Sequence, residues 1–315
     1  MAPLRIIFMG SAELACRSLE ALAQQTDFAV VAVVSQPDRP RGRELKLHAS
    51  PVKQAAVSRG LPVLQPERAR NEDFIAELRE LRPDLIAVAA YGQILPGAIL
   101  ELPRFGCLNV HTSLLPKYRG AAPIQWAILN DEPETGATIM KMDAGLDTGD
   151  ILAQAATPIR ADDDAQTLHD RLGQIGAELL VTTIRDHVAG KITPRPQPAW
   201  GATHARKITK EDGQLDWSQP ARALWNRVRA FTPWPGAFTQ LAGQSPPLTL
   251  KIWRAEVAEA RGAPGEIIEA GKLGVLVGCG AGALRILEMQ REGGRRMSAW
   301  DFLAGHPLKP GGRFG

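Results

Sequence analysis

Residues 106–150 read GCLNVHTSLLPKYRGAAPIQWAILNDEPETGATIMKMDAGLDTGD, and this stretch carries both a sheet and a chemistry. Cys107-Leu108-Asn109-Val110-His111 has the apolar, β-branched character of a buried strand and runs into a loop punctuated by Ser113, Pro116 and Gly120. Side chains alternate faces along a strand, so Asn109 and His111 share one face while Leu108 and Val110 pack on the other. Two polar groups then leave the carboxyl end of a strand together, where open α/β sheets hold their ligands. A second apolar run, Ala137 to Met142, ends in Asp143-Ala144-Gly145-Leu146-Asp147-Thr148-Gly149-Asp150. Gly145 and Gly149 let that backbone turn tightly and bring Asp147 to a site.

An amide, an imidazole and a carboxylate suffice for acyl transfer. The Asn109 amide and a protonated His111 can donate hydrogen bonds to the oxyanion of a tetrahedral intermediate. The Asp147 carboxylate can orient the imidazole and help move protons. No nucleophilic side chain is required when the attacking group is an amine of the substrate. Taken singly, an Asn-x-His at a strand end or an Asp in a glycine turn is ordinary loop chemistry, so the reading rests on the whole string.

Outward from this stretch, apolar strands alternate with helical patterns. Leu4 to Met9 is a first strand, Gly10-Ser11 its turn, and Ala12 to Gln25 a helix with Leu14, Leu19 and Leu22 inward. Phe28 to Ser35 is continuously apolar, as in a parallel sheet covered on both faces. A helix at Ser50 to Arg59 begins with Pro51, Leu61 to Leu64 is a short strand, Asn71 caps a helix to Leu81, and Asp84 to Ala90 is a strand. Downstream lie a short helix at Ala121 to Leu129, a strand at Ile151 to Ile159 and a long helix at Asp164 to Gly190, with His169 and His187 on its surface. The expectation is a Rossmann-like, mostly parallel α/β domain over residues 1–190. Gly10 lacks the further glycines of a dinucleotide fingerprint and no Walker A loop exists, which argues against a nucleotide cofactor.

The alternating prolines of Thr193-Pro194-Arg195-Pro196-Gln197-Pro198 mark an extended linker over 191–206. Residues 207–315 then show a helix at Pro220 to Phe231 and short strands at Ala237 to Leu241, Leu248 to Ala255, Gly265 to Ala270, Gly274 to Gly278 and Ala283 to Met289, a pattern that suits a small β-barrel. A strand follows Gly278-x-Gly280-x-Gly282, so that run is a hairpin turn and no nucleotide loop.

Composition agrees with a globular protein: 44% hydrophobic and 23% charged, so disorder is not expected. Cys16, Cys107 and Cys279 have no spacing for zinc or a disulfide framework; they read as buried small hydrophobes in a reducing cytoplasm, and no metal is expected. No targeting segment or membrane span is visible, and a monomer is the default. Of 37 basic and 34 acidic residues, 21 and 24 fall in 1–205 and 16 and 10 in 206–315, giving −3 and +6. A basic second domain suits a polyanionic partner.

Several separated blocks, in order, resemble the formyltransferases that use 10-formyltetrahydrofolate. They are Asn109-Val110-His111-Thr112-Ser113-Leu114-Leu115-Pro116, Tyr118-Arg119-Gly120-Ala121-Ala122-Pro123-Ile124-Gln125 and Gly145-Leu146-Asp147-Thr148-Gly149-Asp150, with Arg5 to Gly10, Gln36 to Pro40, Ser50 to Lys53 and Phe231 to Gly236 beside them. Nearly the full length is similar to the branch that formylates methionine on initiator tRNA. The resemblance implies an OB-fold-like second domain and a catalytic trio of Asn109, His111 and Asp147. It implies a folate site along Tyr91, Gly92, Ser113, Leu114, Leu115, Pro116, Asp143 and Gly145. It also implies tRNA contacts from an insertion loop with Arg39, Arg41, Arg43 and Lys46, Arg43 falling at the family's arginine position. In the second domain, tRNA contacts are expected from Lys207, Lys210, Arg295 and Arg296, with Arg222, Arg227, Arg229 and Arg291 as further candidates. The cosubstrate is 10-formyltetrahydrofolate and the partner initiator methionyl-tRNA, in the cytoplasm or an organelle of bacterial descent. Ala12 and Leu14 replace a Pro and a Phe of the family pattern, which touches the pocket wall rather than the fold. The rival readings are a formyltransferase for an amino sugar nucleotide or other small amine, the hydrolase-type domain of formyl-folate dehydrogenase, which needs a much longer chain, and a binding module without catalysis, which has no need of the trio.

Overall fold

Strands that are apolar on both faces are stable only between two layers of helices. The computed structural model describes residues 2–41, 46–241 and 248–315, with Arg41 and Lys46 placed by their backbone alone. Seven strands form the first sheet: β1 Leu4–Gly10, β2 Phe28–Val34, β3 Val63–Leu64, β4 Leu85–Ala89, β5 Cys107–His111, β6 Glu134–Lys141 and β7 Ile151–Pro158. Their order is β7-β6-β5-β4-β1-β2-β3. From β3 to β5 every pairing is parallel, while β6 and β7 are added antiparallel. The mostly parallel α/β sheet expected from the apolar runs is present.

The pleat sorts β1 cleanly. Ile6 and Phe8 join Ala15, Leu19, Leu22, Leu180, Val181 and Ile184 in one core, whereas Ile7 and Met9 join Phe74, Ile75, Leu78 and Ile99 in another. Helices Glu13–Ala23 and Ala165–Val188 thus supply one face, and Glu72–Glu80 and Gly97–Leu100 the other. Local chemistry fixes the ends: Ser50 accepts from Lys53 N–H at 3.0 Å and Asn71 from Asp73 N–H at 3.1 Å, while Pro51 opens its helix. Each cap contributes about 1 kcal/mol.

The chain separates into two compact units, the first comprising residues 1–123, 134–158 and 169–205 and the second residues 124–133, 159–168 and 206–315. In the second, strands Ala237–Leu241, Leu248–Ala258, Ala283–Arg291, Gly274–Gly278 and Ile267–Gly271 lie side by side in that order, all antiparallel. The last residues join the two edges: Gly315 and Gln240 exchange backbone hydrogen bonds at 3.1 and 2.9 Å, and Phe314 N–H reaches Gly265 O at 2.8 Å. Closing the sheet removes its exposed edges, so the small barrel is OB-like as expected. Helix Ala221–Ala230 packs Leu224 and Val228 into its core. Gly278 pairs with Ala283 across the hairpin turn read from the glycine run.

Candidate active site

Register places the polar residues of β5. Asn109 stands opposite Val88 and Met140, and His111 opposite Thr138, at the end of the strand where the chain turns away. His111 is 5% exposed and Asn109 half-buried. Three side chains or backbones around this end adopt the left-handed conformation without being glycine: Ala90 at φ 42°, Tyr118 at φ 62° and Asp147 at φ 53°. Such backbone persists only where neighbours impose it, and it gathers at functional sites.

The imidazole is held from two sides. His111 Nε2 lies 2.9 Å from the Tyr118 carbonyl oxygen, so it carries the proton, and Nδ1 faces Asp147 Oδ2 at 3.7 Å. That distance is an ion-pair contact for a protonated ring and too long for a hydrogen bond. Asp147 Oδ2 in turn accepts Gly120 N–H at 2.8 Å. Nδ1 is therefore the ring nitrogen outside a hydrogen bond, and whatever approaches it also approaches the carboxylate. The trio expected from sequence is brought together at least as far as this His111–Asp147 contact, with Asn109 on the same strand face.

Thr138, Gln154 and Thr203, which no local pattern singles out, build much of the frame. Thr138, fully buried, donates its hydroxyl to Ser113 O at 2.6 Å and accepts from Leu115 N–H at 3.2 Å and Gln154 Nε2 at 3.0 Å. Gln154 Nε2 also reaches Leu115 O at 2.9 Å. Thr203 accepts Tyr118 N–H on its hydroxyl at 2.8 Å, and His204–Ala205 pairs in parallel with Arg119–Gly120. A side chain at Gly149 would be driven into the Lys141 carbonyl oxygen, which fixes glycine beside Asp147. Only the glycine among these features carries a local sequence signal; Thr138 sits in a strand where nothing but register gives it a partner.

The expected folate residues divide by what they can offer. Tyr91 is 3% exposed in the core beside Ile7 and Met9, burial pushes its phenol up to about 12, and its hydroxyl has no hydrogen-bond partner among the described residues. Its carbonyl accepts from Gln36 Nε2 at 2.9 Å, and Gly92, at φ 84°, has room for no side chain against that same amide. At Tyr91 and Gly92 the chain can therefore meet a ligand only with backbone. Ser113 is buried and donates to Lys117 O at 2.6 Å, and Leu115 packs with Met140 and Ile151, whereas Leu114 and Pro116 are partly open. Asp143 closes a turn by accepting Gly145 N–H at 3.0 Å and the Thr148 hydroxyl at 2.7 Å. Among the described residues no three His, Cys, Asp or Glu side chains gather as metal ligands would.

The basic candidates also divide. Arg39 is exposed on a two-stranded ribbon, Arg39–Arg41 against Lys46–His48, where the sequence suggested only a loop; Arg43 lies outside the described residues. Lys207, Lys210 and Arg295 are exposed. Arg296 is exposed but bonds Glu288 at 2.6 Å and lies over the Trp253 ring at 5.3 Å. Two further candidates are spent on their own unit. Arg229 is 9% exposed, donates to the Arg160 and Asp163 carbonyls at 3.1 Å and to Asn226 Oδ1 at 2.7 Å, and burial lowers its pKa to about 10. Arg227 donates to the Asp212 carbonyl, whereas Arg222 is exposed, like Arg296, and pairs with Asp131 at 2.8 Å. Counting charge along the chain could not separate arginines that hold their own unit from those that face solvent. His187 likewise is not simply on the surface: its Nε2 lies 3.0 Å from Phe105 O and its ring stands edge-on to Phe105.

A parallel-sheet domain bearing an amide, an imidazole and a carboxylate at its strand ends, followed by a small barrel, defines a class, and the chain belongs to the formyl transferase family. The family's formyl transferase model matches residues 4–184 and the model of its C-terminal domain residues 207–307. Among its relatives, the methionyl-tRNA formyltransferase of Geobacter metallireducens is 52% identical over 315 residues, covering 100% of both chains. Those of Caldanaerobacter subterraneus subsp. tengcongensis and Myxococcus xanthus are 51% and 49% identical over 98% of this chain and 99% and 96% of their own. Among solved structures, the sugar 3N-formyl transferase WlaRD shares the fold with a TM-score of 0.65 at 18% identity, covering 92% of this chain and 98% of its own. HypX from Aquifex aeolicus in complex with tetrahydrofolic acid does so with a TM-score of 0.62 at 20% identity, covering 98% of this chain and 49% of its own.

Proposed function

We propose that the chain transfers the formyl group of 10-formyltetrahydrofolate to the α-amino group of methionine on initiator tRNA, giving formylmethionyl-tRNA for translation initiation. The observation that carries this reading is 52% identity over the whole length of a methionyl-tRNA formyltransferase. The amine attacks the formyl carbon, a new C–N bond forms, and collapse of the tetrahedral intermediate breaks the bond to N10 of the folate. The proton lost by the amine goes to that leaving nitrogen. Asn109 donates its amide N–H to the oxyanion, and a protonated His111 donates from Nδ1, the nitrogen not engaged by Tyr118. Asp147, 3.7 Å away, orients the ring and passes the proton. The backbone of residues 91–92, the 113–116 turn and the Asp143–Gly145 turn hold the folate. Arg39, Arg41, Arg43, Lys46, Lys207, Lys210, Arg295 and Arg296 contact tRNA phosphates, which position the substrate without reading its sequence.

The place of work we propose is the cytoplasm or an organelle of bacterial descent. No helix among the described residues is long and apolar enough to cross a membrane. The test is formyl transfer from 10-formyltetrahydrofolate to initiator Met-tRNA, run beside elongator Met-tRNA and small amines including amino sugar nucleotides. Fast, initiator-selective transfer is expected; transfer to small amines alone would overturn the tRNA assignment while leaving the site chemistry. Binding to tRNA should weaken steeply with salt.

A further inference from the structure

The Pro-rich segment, which turns at Gly201, is laced onto the catalytic loops of the first unit. Arg195 exchanges backbone hydrogen bonds with Ile151 at 2.8 and 2.9 Å. Two residues on, the Gln197 amide nitrogen donates to the Asp147 carbonyl at 2.9 Å and to the Gly149 carbonyl at 2.8 Å. Its amide oxygen accepts from Arg119 Nε at 3.0 Å and from Arg119 Nη2 at 2.7 Å. Every hydrogen-bonding position of this half-buried amide that the geometry allows is thus spent on the two loops that flank His111.

We propose that Gln197 is a positioning residue of the reaction, its amide fixing the Asp147 loop against the Tyr118–Gly120 loop. Asp147 has φ 53°, a conformation a non-glycine side chain leaves unless it is held. Two bonds hold it: Gly120 N–H grips the carboxylate, and Gln197 grips the carbonyl of the same residue. The second grip extends to Gly149, so the turn cannot swing as a unit. Arg119 orients the amide, since only with its oxygen toward the guanidinium do both N–H groups face the carbonyls. Nothing in the composition of the segment points to this, because a glutamine between prolines reads as a spacer residue. The inference rests on Asp147 being catalytic and predicts that Gln197 acts on turnover through it.

The test uses the full chain with Gln197→Glu and Gln197→Met. Glutamate keeps the size and the bond to Arg119 but replaces the donors with an oxygen that repels both carbonyls; methionine keeps the volume and makes neither bond. Hydrogen exchange is expected to rise about tenfold in the 143–150 segment of both variants, with helix Ala165–Val188 unchanged. The kcat for formyl transfer, on whichever amine the wild-type enzyme uses, is expected to fall between ten- and a hundredfold, while KM for the folate donor stays within threefold, because the Asp143–Gly145 turn keeps its own bonds to Gly145 N–H and Thr148, and melting temperature stays within a few degrees. In the double variant Arg119→Met/Gln197→Met, kcat should fall no further than in Gln197→Met alone, as the arginine acts through the glutamine. Unchanged exchange in 143–150, or glutamate retaining wild-type kcat, would overturn the proposal, as would losses in KM and stability that match the loss in kcat. Because exchange is read without substrate, a wild-type enzyme that fails to use methionyl-tRNA would refute the functional reading and leave the clamp to be judged on its own.

Discussion

Replacing Thr138 with valine isolates what one buried hydroxyl contributes to the site's frame. Valine has the same shape, so no cavity forms. What disappears is the 2.6 Å bond to the Ser113 carbonyl and the acceptor for Leu115 N–H at 3.2 Å and Gln154 Nε2 at 3.0 Å. Gln154 keeps its 2.9 Å bond to Leu115 O, so its amide is not stranded. The Ser113 carbonyl and the Leu115 N–H lose those partners, and each such loss in a buried setting costs about 1–1.5 kcal/mol, about 2–3 kcal/mol together. Thr138→Ser keeps all three bonds and loses one methyl, about 1 kcal/mol. Urea denaturation followed by circular dichroism should show the valine variant less stable than the serine variant in the transition of the first unit, with the second unit's transition unmoved. A valine variant within about 0.5 kcal/mol of wild type, or a serine variant as damaged as the valine one, would refute the reasoning, since neither outcome is compatible with the hydroxyl as the stabilising group.

On the proposed mechanism, in which Asn109 donates to charge that develops only in the transition state, Asn109→Ala should lower kcat by roughly a hundred- to a thousandfold with thermal stability near wild type; steady-state kinetics with saturating donor read this out. Asp212 in the second unit is held well below the usual carboxylate range, first by its bond to Arg206 and also by Thr209 N–H at 2.8 Å, against the opposing effect of burial. A depressed folded pKa stabilises above the unfolded value of roughly 4 and the effect is lost as pH falls through the folded one, so Asp212→Asn should cost about 1 kcal/mol at neutral pH, and its difference from wild type should shrink toward zero in acid-unfolding curves below about pH 3. Burial pushes the Cys107 thiol up to about 12 and Cys279 to about 11; an aromatic disulfide reagent at pH 7.5 should therefore react with no more than Cys16 in the native protein and with all three thiols in denaturant, and rapid native labelling of Cys107 would contradict its place inside the sheet.

Much of the architecture was legible because it rests on short-range rules. The continuous apolar runs of β1, β2 and β4 required a sheet covered on both faces, Ser50 and Asn71 announced helix starts, and the glycine run at 278–282 announced a hairpin. Asn109 and His111 were legible as a pair because two residues apart on a strand means one face, and Gly145 and Gly149 marked the turn that carries Asp147. The antiparallel addition of β6 and β7 left no such trace, since an apolar strand has no direction written in its composition.

The sequence by itself determined which segments become strands and helices and which polar residues stand at strand ends, because those follow from side-chain size, polarity and period. Only the tertiary structure decided which nitrogen of His111 faces Asp147, that Thr138 and Gln154 brace the turn beneath them, that Gln197 reaches back about fifty residues to the Asp147 loop, and that Arg229 is buried while Arg295 is exposed. The physical reason is common to all four: a hydrogen bond or a buried charge needs a partner brought by the fold from a distant part of the chain, and no local pattern records where that partner will be.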